Sequence, residues 1–199
     1  KIISYSKSLD LKINIENNII FTDDVFSNIP VKSFYKSMSL HEYKQARLEM
    51  LKIIAKELKP DYLTISEEPD TEEYHTGQPI SNNFINIVND SVLELKKMKL
   101  ANNIKLGAGF GIWHKDYIDF TKQLMKSNLD FINLHIYPVS KILFSRLIEI
   151  CDLIQSSDKG VVIGEAWLLK AATGDFGDYI TNFTRDVFSF WQPLDQKFI

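Results

Sequence analysis

Two stretches of this chain end in the same way. Asp61-Tyr62-Leu63-Thr64-Ile65-Ser66-Glu67-Glu68-Pro69-Asp70 reads as a short buried strand that breaks into acid, acid and proline. Far downstream, Gly160-Val161-Val162-Ile163-Gly164-Glu165-Ala166-Trp167 repeats the design. Two carboxylates at strand ends can divide acid and nucleophile work between them. One carries a raised pKa and gives up a proton, while the other stays ionised and attacks. A half-buried carboxylate costs several kcal/mol unless it is paired, so two of them at one place need a reason. Desolvation and like-charge proximity would themselves drive their pKa values apart.

The elements between them alternate. Ile2, Ile3 and Tyr5 end a helix that stops near Leu9-Asp10, and Leu11, Ile13 and Ile15 alternate with polar residues as a strand does. A long connection over 17–38 precedes a helix whose start, Ser39-Leu40-His41-Glu42, has capping-box spacing; Lys59-Pro60 ends that helix. The second strand is Tyr62 to Ser66, followed by an acidic, polar loop from Pro69 to Pro79 and a helix from Ser81 through Leu100. A third strand, Lys105 to Ile112, carries glycine at every second position and ends in Trp113-His114. A helix over Asp116 to Lys126, a strand over Phe131 to Tyr137, a helix over Lys141 to Gln155 and a strand over Val161 to Glu165 follow. Beyond a Gly-containing loop at Thr173 to Gly177, Ile180, Phe183, Val187, Phe190, Trp191 and Leu194 have helical spacing, with a sixth strand at Val187 to Trp191 as the alternative.

Alternating strands and helices at these spacings indicate an α/β protein with a parallel sheet. No glycine-rich phosphate loop follows any strand, which disfavours a doubly wound nucleotide-binding fold. A (β/α)8 TIM barrel remains, with its polar residues at the carboxyl ends of the strands. A whole barrel needs about 250 residues, and the chain has 199. The expectation is one catalytic domain over 1–199, a partial barrel with roughly strands three to seven or eight and without the N-terminal βα units. Opening at Lys1 in mid-pattern, it reads as a fragment or a processed product.

Strand parity then orients the side chains, because successive residues face opposite sides. Ile132, Leu134 and Ile136 form an apolar face that should pack on helices, leaving Asn133, His135 and Tyr137 pointing into the barrel. By the same rule Glu68, with Thr64 and Ser66, points inward, and Glu67 shares the outer face with Leu63 and Ile65. In the last strand Val161, Ile163, Glu165 and Trp167 share a face, but both faces there are apolar.

These residues carry a resemblance. Leu63-Thr64-Ile65-Ser66-Glu67-Glu68-Pro69 resembles the fourth strand of the large clan of (β/α)8 retaining glycoside hydrolases that includes cellulases, mannanases and galactanases. There the pattern is Asn-Glu-Pro and the glutamate is the acid/base. Val162-Ile163-Gly164-Glu165-Ala166-Trp167 resembles their seventh strand, whose glutamate is the nucleophile. Leu134-His135-Ile136-Tyr137-Pro138 resembles their sixth, where a tyrosine or histidine contacts the nucleophile or the sugar. The resemblance implies cleavage of a β-linked poly- or oligosaccharide with Glu68 as acid/base and Glu165 as nucleophile, without a cofactor. Glu67, Asn133, His135, Tyr137, Trp113 and Trp167 would bind the carbohydrate. Glu67 stands where the clan has asparagine, so Glu67 is a rival acid/base.

Two other readings stay open. One is a metal-dependent barrel enzyme, such as a sugar isomerase, with Glu68 or Glu67, His135 and Glu165 around Mn²⁺, Mg²⁺ or Zn²⁺; the absence of a His-x-His pair counts against it. The other is a barrel that binds carbohydrate without catalysis. Glu68 also reads as a surface acid, Glu165 as a structural ion-pair partner, and His135 and Tyr137 as hydrogen-bonded core groups. Trp113-His114 reads equally as a cap on the third strand. Glu16, at the end of the first strand, reads either as lining the site or, more readily, as an ordinary solvated acid; Asp70, Glu72 and Glu73 read as a solvated face, and His75 as a rim contact at most.

Composition narrows the classes. A net charge of -3 without a basic block speaks against nucleic acid as a partner. No run of about 18 apolar residues suggests a membrane helix. The one cysteine, Cys151, has no partner for an internal disulfide and falls in an apolar helical row. Compartment and oligomeric state are not legible, although a glycosidase would favour an extracellular setting.

Overall fold

The computed structural model describes residues 2–19, 30–98, 103–137 and 140–166. In chain order these form α1 (Ile2–Ser8), β1 (Asn14–Glu16), α2 (Val31–Ser37), α3 (Leu40–Ile53), β2 (Tyr62–Thr64), α4 (Pro69–Thr76), α5 (Ile80–Lys96), β3 (Lys105–Gly111), α6 (Tyr117–Lys126), β4 (Phe131–Ile136), α7 (Lys141–Ile154) and β5 (Gly160–Ala166). One π-helical turn, Ile54–Leu58, continues α3 until Lys59 adopts a left-handed conformation ahead of Pro60. The expected β-helix-β alternation is present, and the sheet is parallel throughout with strands in the order β1-β2-β3-β4-β5.

The sheet is a curled half-barrel. In a flat sheet β1 and β4, three spacings of about 4.8 Å apart, would lie roughly 14 Å from each other. Yet Glu16 of β1 reaches Asn133 and His135 of β4 at 2.7 and 3.1 Å across the concave face. Helices cover the convex face. Leu63, Ile65, Leu106, Ala108, Phe110, Ile132, Leu134 and Ile136 pack there against Leu51 and Ala55 of the α3 segment, Phe84, Val88 and Leu95 of α5, Phe120 and Leu124 of α6, and Leu147 and Ile150 of α7. Cys151 lies in this core, as expected. The outward turn of the apolar strand faces thus matches the parity argument for β2 and β4.

Aspartates at the strand starts hold the register. Asp61 accepts the Ile13 N–H at 3.0 Å, and Asp130 accepts the Leu106 N–H at 2.9 Å, so each joins two neighbouring strands. The capping box at α3 is formed as its spacing predicts: the Ser39 hydroxyl accepts the Glu42 N–H, and Glu42 accepts the Ser39 N–H.

Two expectations need correction. The connection over 17–38 contains the helix α2, and the loop over Pro69 to Pro79 is largely the helix α4. The α4 stretch looks too polar to fold by periodicity. Its start is nevertheless well specified, with Pro69 in the first turn and Asp70 and Glu72 beside the positive end of the helix. The remaining boundaries shift by a few residues at most, except that β1 is shorter than its alternation suggests. Trp167, the loop at 173–177 and the alternative helix or strand beyond it lie outside the described residues. Among the described residues no helix is long and apolar enough to cross a membrane.

Candidate active site

The site gathers on His135, near the carboxyl end of β4. Its ring is 3% exposed. Nδ1 lies 2.6 Å from Glu68 Oε1 and 3.5 Å from Glu165 Oε2, and Nε2 lies 3.1 Å from Glu16 Oε2. Ionised carboxylates only accept, so both ring nitrogens must donate and the ring is an imidazolium. Burial alone would lower its pKa. Hydrogen bonds to Glu16 and Glu68, with the charge of Glu16, outweigh burial and raise it to about 10. Glu16 is correspondingly held below the usual carboxylate range, since bonds from His135 and Asn133 overcome its own desolvation.

Of the two readings of Glu16, the structure takes the one that lines the site, against the favoured reading of a solvated acid. Besides His135, Glu16 accepts the Asn133 amide, which also donates to Thr64 Oγ1 at 3.1 Å. The signal is its place: Glu16 ends β1, as Glu67 and Glu68 follow β2 and Glu165 stands one residue before the end of β5.

Alternation misplaces Glu67. Regular strand geometry stops at Thr64, and Glu68 takes a left-handed backbone with φ 45° and ψ 60°. The rule of opposite faces then no longer applies, and both acids reach the concave side. Glu67 is 0% exposed, and neither carboxyl oxygen has a hydrogen-bond partner. The Asn133 amide lies alongside without completing a bond, and Asn133 Oδ1 is itself unsatisfied. The glycines of β3 explain how an acid fits there: a Cβ on Gly109 would sit 2.7 Å from Glu67 Oε2 and collide with the Asn133 backbone. Two residues on, a Cβ on Gly111 would meet the Trp113 ring.

Burial, reinforced by the Glu16 and Glu68 charges and only partly offset by His135, pushes the Glu67 carboxyl well above its ordinary value. The folded protein therefore binds a proton there that the unfolded chain has released above about pH 4.5. Stability from this group is full below that pH and falls by about 1.4 kcal/mol per pH unit above it, until the folded pKa is passed. Glu67→Gln removes the dependence. Urea denaturation should show the variant near wild type at pH 4 and clearly more stable at pH 7; a difference independent of pH would mean Glu67 is ionised.

In β5 the apparent sharing of a face by Ile163 and Glu165 is also corrected. The β4–β5 register shifts between Leu134 and His135, pairing Ile163 with Leu134 and Glu165 with His135. Gly164 is the extra residue, and a bulge of this kind re-aims the side chain that follows it. A Cβ on Gly164 would collide with Glu16 and the Asn133 amide. Glycine therefore admits Glu16 while turning Glu165, 44% exposed, toward His135.

At the rim, the Trp113 indole N–H donates to Asp70 at 2.9 Å, and the Trp113 ring stacks on Tyr137 with centroids 4.9 Å apart and planes within 7°. His114 turns away from the site. It stacks on Phe120, accepts the Asp116 N–H, and is held neutral chiefly by burial. The solvated face expected of Asp70, Glu72 and Glu73 is only partly so. Glu72 is fully buried against Arg47 and Tyr43, Asp70 carries Trp113, and Glu73 accepts the Ser81 N–H.

One atom each from Glu68, His135 and Glu165 lie within 4.8 Å of one another, a spacing that could hold a metal ion. A metal on His135 Nδ1 would have to displace the proton now directed at Glu68. No protein-family model, curated protein or solved structure matches the chain.

Proposed function

We propose that this chain is the catalytic part of a retaining glycoside hydrolase of the (β/α)8 type, acting on a β-linked carbohydrate. The observation that carries the reading is the convergence of Glu68 and Glu165. They follow or end β2 and β5, far apart in sequence, yet their nearest oxygens come within 4.8 Å at the carboxyl edge of a curled parallel sheet. Retaining enzymes hold their two carboxyl groups at about 5–5.5 Å, and inverting ones at about 6.5–9.5 Å.

In the first step Glu68 relays the proton that His135 Nδ1 directs at it to the glycosidic oxygen as the bond to the anomeric carbon breaks. A Glu165 oxygen forms the new bond to that carbon, giving a glycosyl ester. Glu68 then takes a proton from water and returns it to His135 Nδ1, while the water oxygen attacks the same carbon and releases Glu165. His135, between the two acids, stores that proton: it is a cation while Glu165 is a free carboxylate and neutral while Glu165 is held as the ester. Glu165 suits the nucleophile because its exposed carboxylate faces the open side; the 6% exposed Glu68 suits the acid/base. Glu67, fully buried, is out of a sugar's reach. The stacked Trp113–Tyr137 pair offers a flat apolar surface at the rim, and Asn133 with Glu16 orients His135 from below.

A mechanism-based 2-fluoro glycosyl fluoride tests the reading. Mass mapping should find one adduct, on Glu165, and none in Glu165→Gln. The metal reading is favoured by the clustering of Glu68, His135 and Glu165 alone. It would displace the first if turnover vanished with EDTA and returned with Mn²⁺, Mg²⁺ or Zn²⁺. Absence of an adduct across sugar classes, with binding retained, would leave a barrel that binds carbohydrate without cleaving it.

A further inference from the structure

Behind the strand ends lies a second buried polar cluster that the chemistry above leaves unused. Arg47 of α3 is 4% exposed and Glu72 of α4 is 0% exposed. Arg47 Nη1 and the Tyr43 hydroxyl both donate to Glu72 Oε1, and the Ser66 hydroxyl donates weakly to Glu72 Oε2 at 3.4 Å. Arg47 Nη2 does something different. It donates to two backbone carbonyls, Ile65 at 2.8 Å and Asn17 at 2.9 Å.

Those carbonyls belong to the two segments that carry the acids flanking His135. Asn17 directly follows Glu16, and Ile65 lies just before Glu67 and Glu68. The β1–β2 ladder ends at Glu16 and Thr64, with one more bond from the Asn17 N–H to the Thr64 carbonyl. Past that point, among the described residues, Arg47 Nη2 bonds both segments from the helix side, while His135 bridges their acids from the concave face. Glu72 is also tied to Glu68 along the backbone, in the first turn of α4. The Glu72 N–H donates to the Glu68 carbonyl at 2.9 Å, and Glu68 holds φ 45°, a conformation glutamate rarely adopts.

Stability alone does not account for this cluster. A buried ion pair is often replaceable by apolar residues at no loss of stability. What the guanidinium adds is a rigid planar fork that can meet a carboxylate and two carbonyls at once, which the point charge of lysine cannot. We propose that Arg47, together with Glu72, is a positioning residue that sets the placement of Glu16 and Glu68 on either side of His135. Its effect on turnover rests on the carboxylate-pair reading; its effect on His135 does not.

Two variants test the inference. Arg47→Lys keeps the charge and removes the fork, and the double variant Arg47→Met/Glu72→Gln removes both charges without leaving one unpaired. Circular dichroism and a cooperative melt establish folding. Proton NMR follows the two hydrogen-bonded ring N–H signals of His135, which report whether Glu16 and Glu68 stay in place. In both variants these signals should move or vanish while the fold persists. On a cleavable sugar, kcat should fall by about a hundredfold, the scale of a 1 Å misplacement, with little change in KM. Native ring signals in either folded variant would overturn the proposal. So would failure of both to fold, since the cluster would then belong to the fold and not to the site. Altered ring signals in a protein that cleaves no sugar even as wild type would retain the positioning role and discard the glycosidase reading.

Discussion

Glu165→Gln should lower turnover by at least about a thousandfold, roughly 4 kcal/mol of transition-state stabilisation, and leave the fold nearly unchanged. The two halves of this expectation have separate causes. An amide is almost the same shape as a carboxylate, but it cannot form the glycosyl ester that divides the reaction into two steps. The structural cost is small because Glu165 is 44% exposed and its contact with His135 is 3.5 Å long. An ion pair that open to water is worth about 1 kcal/mol or less. The same change at Glu68 would be less clean, since Glu68 is nearly buried and holds His135 at 2.6 Å. Steady-state kinetics on an activated aryl glycoside, beside a thermal melt, provide the measurement. Full activity would remove Glu165 from the mechanism, and loss of activity together with loss of the fold would make its role structural.

The second large effect is on stability. The ordinary pKa of histidine is about 6.5, and in the folded protein that of His135 is raised to about 10. Between these values the folded state holds a proton that the unfolded state lacks, so unfolding becomes easier as pH rises. The contribution is fully present below about pH 6.5 and is lost through pH 10, at about 1.4 kcal/mol per unit and on the order of 5 kcal/mol in total. The raised pKa of Glu67 gives a slope of the same sign, beginning lower. Glu16, whose pKa is depressed, contributes stability above the ordinary carboxylate range that is lost as pH falls through its folded value. The three groups together place maximal stability on the acid side of neutrality. Denaturation midpoints at pH 6, 8 and 10 should fall steadily, and His135→Gln should flatten the decline. Nitrogen chemical shifts of His135 should report two protonated ring nitrogens at pH 8; a neutral tautomer there would refute the account.

Much of the fold was legible because its causes are local. Apolar runs bounded by breakers gave the strands, the Ser39–Glu42 box gave the start of α3, and alternation in Phe131 to Tyr137 separated Ile132, Leu134 and Ile136 from Asn133 and His135. The helices α2 and α4 were not legible. Each is too short for periodicity to register, and α4 gains its place by burying Glu72 against Arg47, a partner from another helix. Parity succeeded in β4, where the ladder is regular, and failed at Glu67 and Ile163. A left-handed residue follows the first, and an extra glycine follows the second.

By itself the sequence determined the order of the five strands and of the helices other than α2 and α4, the parallel α/β class, the apolar convex face, and which acids stand at strand ends. Each follows from spacing along the chain, where strand and helix periods act over a few residues. The tertiary structure alone decided that Glu16 belongs with His135, that Glu67 is buried without a partner, and that Glu68 and Glu165 come within 4.8 Å. Those facts depend on how far the sheet curls and on where a bulge falls. Curl is a sum of twist, packing and glycine clearance over five strands, and no single stretch of sequence encodes it.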